Sequence, residues 1–126
     1  LFNNSCYNGD ISDWNVSHVE NMDCMFWGIG NEAENFDPEK FDISNWDVSS
    51  VTDMSSMFAH SSFNSDISNW DVSSVKSMNS MFMYSDFNQD ISSWVISYDT
   101  DTNDMFDNCP LHDGGEFRDD WKPVVE

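Results

Sequence analysis

Positive charge is nearly missing from this chain. Of 126 residues only 4 are Lys or Arg, against 24 Asp or Glu, which leaves a formal charge of -20 at pH 7. A field of that sign repels phosphate backbones and anionic membrane surfaces, so nucleic acid is disfavoured as a partner and basic or polar protein surfaces, cations or a saline environment are favoured. Also missing is any apolar run long enough to cross a bilayer, so direct membrane insertion of this segment is not expected. Cysteine is scarce: 3 residues are too few to define a redox compartment, and a Cys6 to Cys24 disulfide is conceivable without being predicted. Catalytic constellations are thin as well. His18, His60 and His112 stand isolated in sequence, and Cys109 with His112 makes only half of a zinc pattern. No G-x-S-x-G elbow accompanies the many serines. An enzyme is the least expected class.

What the chain has instead is repetition. DISNWDVSSV occurs at Asp42 to Val51 and again at Asp66 to Val75, with a weaker copy, DISDWNVSHV, at Asp10 to Val19. Ile43, Ile67 and Ile91 are spaced by 24 residues, as are Met57, Met81 and Met105. The fullest unit carries Phe63, Asp66, Ile67, Trp70, Val72, Val75, Met78, Met81 and Phe82, followed by a four-residue polar link. In the last unit Asp99 and Thr102 stand where Val and Met are expected. Apolar residues that recur in register form a continuous core by stacking, each unit burying its face on the next.

Within a unit the alternation from Phe63 to Trp70 suits a short strand, and Val75, Met78, Met81 and Phe82 follow helical spacing. The expected fold is therefore an α/β repeat solenoid of the leucine-rich-repeat class: a right-handed array with one short parallel strand plus one short helix or 3-10 turn per 24-residue unit. The array is expected over 1–107 and a C-terminal cap over 108–126, where Leu111, Phe117, Trp121 and Val124 are brought to the last unit. Leu1 and Phe2 fall where Met81 and Phe82 fall in a later unit, so the frame starts in mid-unit, as in a piece of a longer array stacked on upstream repeats or on a neighbouring subunit.

The unit FNxDISxWDVSxVxxMxxMF resembles the repeat of the BspA-like leucine-rich-repeat surface proteins, in the Mycoplasma-type branch where Trp, Val, Met and Phe fill the usual leucine columns. The resemblance covers nearly all of Leu1 to Asn108. It implies the solenoid fold, an extracellular, cell-surface or virion-associated setting, and a part in adhesion and protein binding.

One departure from the period is an insertion. Phe26 to Phe58 spans 32 residues rather than 24, and the extra length lies in Trp27 to Lys40, with Phe36 or Phe41 expected to refill the aromatic column that Glu39 vacates. Insertions in repeat arrays map to one face and favour specific contacts, so Trp27, Asn31, Glu32, Glu34 and Asp37 are candidate partner-binding residues. A tolerated surface bulge is the plainer alternative.

A second feature is stacked charge. Asp10, Asp42, Asp66 and Asp90 share one repeat position, and Asp47 and Asp71 share another. At about one strand spacing, each neighbouring pair repels by roughly 1 kcal/mol in water and about 3 at an effective dielectric of 20. Either the carboxylates accept hydrogen bonds from the N-H groups and serine hydroxyls of their own turns, or they bind Ca²⁺, which takes oxygen ligands. Asp99, Asp101 and Asn103 repeat the 1, 3, 5 spacing of an EF-hand loop, but Asp104 and Pro110 replace the Gly and Glu such a loop requires. No other cofactor is expected. Asn15, which takes the place of the exposed Asp of the other copies, heads an N-x-S sequence that in a secreted eukaryotic chain is a glycan acceptor. Two functions follow: a non-catalytic, surface-displayed module contacting another protein, or a structural subunit of a virion or other large assembly.

Overall fold

The computed structural model describes residues 9–30, 37, 41–113 and 121–126. Consecutive units lie in parallel register. Single-residue parallel bridges join Asn21 to Asp53, Asp53 to Ser77 and Ser77 to Asp101, each linking one unit to the next. Along the same edge alternate N-H groups donate across units: Met54 to Ser77, Ser56 to Asn79, Phe58 to Met81 and His60 to Met83, at 2.8–2.9 Å. The same four donors recur one unit on, from Met78, Ser80, Phe82 and Tyr84.

Among the described residues neither the helix expected from Val75 to Phe82 nor the strand expected from Phe63 to Trp70 forms, for a physical reason in each case. From Met78 to Ser85 the chain is a run of overlapping turns, with Met81, Met83 and Ser85 donating to Met78, Ser80 and Phe82 at 3.1 Å. An α-helix uses its interior N-H groups internally, whereas here alternate ones are committed to the next unit. Left-handed backbone at Ser80 (φ 55°) and Tyr84 (φ 56°) then breaks helical continuity. From Phe63 to Trp70 the Asp and Ser side chains close local turns, and side chains take over the bonding between units. The indole Nε1 of Trp46, Trp70 and Trp94 donates at 3.0 Å to the carbonyls of Ile11, Ile43 and Ile67, always in the preceding unit. Asn64 Oδ1 likewise accepts from Asn88 N at 2.8 Å and from the Gln89 amide at 3.2 Å.

The core is a set of columns. Phe26, Phe58, Phe82 and Phe106 stack with centroids 5.5–5.8 Å apart and planes within 10° of parallel. Phe63 stacks on Phe87, and Trp70 on Trp94, at 6.1 and 6.3 Å. Of the two candidates for the vacated aromatic position, Phe41 is buried and meets Phe26 and Phe63 edge-on, while Phe36 lies outside the described residues.

At the far end Cys109 and Leu111 close the core, Cys109 Sγ lying 3.3 Å from the Phe87 carbonyl. Helix α1 (Pro110–Asp113) follows. Strand β1 (Val95–Ile96) pairs in parallel with β2 (Val124–Val125), so the last residues run beside the fourth unit. Trp121 packs against the core, but Val124 is exposed and joins only through its backbone; Phe117 lies outside the described residues.

Candidate interaction surface

The Asp column is the first place to look for chemistry, and its local geometry is uniform. In Asp10 and Asp42, Oδ1 accepts the backbone N-H of the serine two residues on at 2.9 Å and its hydroxyl at 2.6 and 2.7 Å. Asp66 and Asp90 accept the same backbone bond from Ser68 and Ser92. In the second column Asp47 and Asp71 accept from Ser49 and Ser73, and Asn15 from Ser17 in the same way, so the turn needs the oxygen and not the charge. The serine hydroxyl first, and its N-H second, hold the carboxyls of Asp10, Asp42, Asp47, Asp71 and Asp90 below the ordinary carboxylate value of 3.8. Neighbouring carboxylates push back weakly, Asp10 on Asp42 and Asp47 on Asp71.

Adjacent members of the column share shallow polar furrows, one lined by Asp66, Ser68, Asn69, Gln89 and Asp90, the next by Asp42, Ser44, Asn64 and Asp66. Among the described residues no three His, Cys, Asp or Glu side chains converge on a point where a metal ion fits. The EF-hand-like run is used locally too. Asp101 Oδ1 accepts from Asn103 N at 3.0 Å and Asp101 sits in the bridge to Ser77, while the N-H of exposed Asp99 donates to Ser97 Oγ. The carboxylates of Asp10, Asp42, Asp66, Asp90 and Asp101 thus each accept a hydrogen bond within their own turn, while Asp99 and Asn103 contribute backbone N-H groups.

The insertion gives a different picture. Asn31, Glu32 and Glu34 lie outside the described residues, and Asp37 is half-buried. Trp27 is half-buried at the start of the loop, and its ring lies 5.1 Å from the imidazole of His60. His60 in turn stacks on Tyr84 at 5.0 Å with planes 16° apart. His60 is thus not isolated but the middle of a three-unit aromatic row outside the core, ending at a Tyr84 that is 53% exposed. The sequence carried a signal for this row: His60 and Tyr84 are one period apart, in a column otherwise held by Gly28 and Asn108.

A third feature is a cleft of about 400 Å³ at the far end, between Ile96, Met105, Phe106, Lys122, Pro123 and Val125. There the ammonium of Lys122 lies 5.6 Å over the ring of Phe106, covering the last ring of the phenylalanine stack. No helix of the described residues is long and apolar enough to cross a membrane.

Comparison with curated proteins and with solved structures finds no match. The model of one family does match, that described as "Mycoplasma protein of unknown function, DUF285", over residues 1–115. That span takes in every repeated column described above, from the Asp10 turn to the Cys109 and Leu111 end of the core, and the chain therefore belongs to the DUF285 family.

Proposed function

We propose that this chain is a non-catalytic binding module: a turn-built repeat solenoid of the leucine-rich-repeat kind, related to the BspA-like surface proteins, displayed at a cell surface and contacting another protein beside the loop opened at Trp27. The observation that carries this reading is the aromatic row Trp27, His60 and Tyr84, which spans three units and belongs to no core column. Elsewhere on the described surface the repeated polar side chains are engaged in their own turns, which stiffens the array. A rigid array with a half-buried aromatic row that ends at exposed Tyr84 suits recognition, because aromatic side chains contribute contact area at small entropic cost.

The test is adherence. Beads coated with the chain are expected to adhere to cultured animal cells, and beads carrying a variant with residues 27–38 replaced by a four-residue link, which restores the 24-residue spacing of the other units, are expected to adhere markedly less. Equal adherence of the two, or none by either, sinks the proposal.

One observation favours the second reading, a structural subunit of a virion or other large assembly. Trp14 is 41% exposed, whereas Trp46, Trp70 and Trp94 are each 4% exposed or less. The later tryptophans are each covered by the unit before, so upstream repeats or a neighbouring subunit would cover that ring alike, and co-sedimentation of the native protein with a single large complex is the result that the second reading requires.

A further inference from the structure

The Trp27, His60 and Tyr84 row carries a cost that its position does not require. His60 and Tyr84 both hold left-handed backbone, at φ 55° and 56°. The same column is filled by Gly28 (φ 70°) in the first unit and Asn108 (φ 52°) in the last, the two residue types that take up this conformation most readily. Left-handed backbone recurs through the array, at Cys24, Ser56, Ser80 and Asp104 as well, so the turn belongs to the scaffold, and a ring as large as that of Tyr84 is its unusual occupant. His60 and Tyr84 stack face to face, 16° from parallel, while Trp27 meets His60 at a tilt of 44°. Tyr84 is 53% exposed with one face stacked on His60, and the column's next residue, exposed Asn108, carries no ring to stack on the other.

The neighbouring stack shows what closes such an end. Phe26, Phe58, Phe82 and Phe106 form a parallel file whose last ring is covered by a cation, Lys122. An aromatic face attracts cations through its quadrupole, and a chain of formal charge -20 concentrates them. Two acidic residues belong to the backbone around Tyr84: exposed Asp86 lies two residues after it, and the Asp107 carbonyl accepts the Tyr84 N-H at 2.8 Å.

We propose that the outer face of Tyr84 is an arginine-binding position: the partner is a basic protein segment that stacks a guanidinium on Tyr84 and extends the file by one member. This rests on the reading of the chain as a protein-binding module, and it specifies the partner's chemistry. Arginine is favoured over lysine because its planar, weakly hydrated guanidinium stacks on an aromatic ring, whereas an ammonium is a compact, strongly hydrated point charge. The stack needs the ring and not the phenol hydroxyl.

The experiment titrates a soluble peptide of Gly-Arg repeats, and a Gly-Lys peptide of equal charge, into the full chain at physiological ionic strength, with binding read by calorimetry. The wild type is expected to prefer the arginine peptide. Tyr84→Asn is expected to weaken arginine binding by about two- to fivefold, the range for an exposed cation-aromatic contact, and to change lysine binding little. Tyr84→Phe retains wild-type binding. Because Asn is the residue the same column uses at position 108, Tyr84→Asn is expected to melt at or above the wild-type temperature, which separates lost binding from lost folding. Equal affinity for the two peptides, no binding of either, or unchanged arginine binding in Tyr84→Asn overturns the inference. Should the coated beads still adhere in a loop-dependent way in that event, the binding module stands and only its arginine chemistry falls.

Discussion

Trp70 shows how much one residue does in this array. It is 4% exposed, its ring lies 6.3 Å from that of Trp94, and its Nε1 satisfies the Ile43 carbonyl in the unit before. Trp70→Ala is expected to cost about 3–5 kcal/mol through the cavity it leaves. Trp70→Phe keeps a ring but removes the bond between units, leaving the Ile43 carbonyl with the Trp46 N-H as its donor, for a loss of about 0.5–1.5 kcal/mol, and denaturant melts of the two variants give the comparison directly. The aspartates behave differently, because what their turns use is an acceptor oxygen. Asn15 makes the turn that Asp47 and Asp71 make, so Asp71→Asn is expected to keep the melting temperature close to that of the wild type. Asp71→Ala removes the acceptor and is expected to lower it. If both variants melt alike, the turn bond is not what holds the column.

At the scale of the element, the unit is a chain of turns whose hydrogen bonds are divided between itself and its neighbours. Strand and helix were reasonable readings of Phe63 to Trp70 and of Val75 to Phe82, since apolar residues do recur there at those spacings. The periodicity marked which side chains face inward, but it carried no information on where the backbone N-H groups go. The neighbouring unit decided that, by taking alternate N-H groups at the bridged edge, and the Asx turns decided it on the opposite stretch. Left-handed positions are the hinge of this arrangement. Gly28 is one of them, with φ 70°, and it is buried with its N-H donated to the Ala59 carbonyl at 2.8 Å. Gly28→Ala is expected to destabilise by about 1–2 kcal/mol in chemical melts, the cost of a Cβ in left-handed backbone. No loss at all would mean that the turn relaxes without strain.

For the molecule as a whole, the issue is how a chain of charge -20 stays folded. Repulsion along the columns is long-ranged and screened by salt over about 10 Å at 0.1 M, so the melting temperature is expected to rise with NaCl. Since each column carboxylate is engaged in its own turn and no described cluster is built to hold a metal ion, melting curves in EDTA and in millimolar Ca²⁺ are expected to coincide at matched ionic strength. A clear gain specific to Ca²⁺ would restore cation binding at Asp10, Asp42, Asp66 and Asp90 or at Asp99 to Asn103. Acid acts through the same turns. Folding depresses the carboxyls of Asp10, Asp42, Asp47, Asp71 and Asp90 below 3.8, so their contribution is complete above that value and is lost as pH falls through their lower folded values. Replacing Ser44, Ser49 and Ser73 by Ala removes the largest cause of the depression, and the triple variant is expected to lose stability less steeply below pH 3.8.

The period, the identity of the core columns, the insertion and the balance of charge were all determined by the sequence alone. Repetition makes these legible, because residues one unit apart meet the same surroundings and self-align to bury the same faces. Asp and Ser as turn partners were legible too, since their bonds are local. Only the tertiary structure decided which backbone groups bond within a unit and which between units, because that choice depends on a neighbour that no local window contains. The same holds for the row of Trp27, His60 and Tyr84. A column position could be counted from the sequence, but the stacking of an insertion's first residue on His60, and the exposure of the last ring at 53%, exist only once three units have been laid side by side.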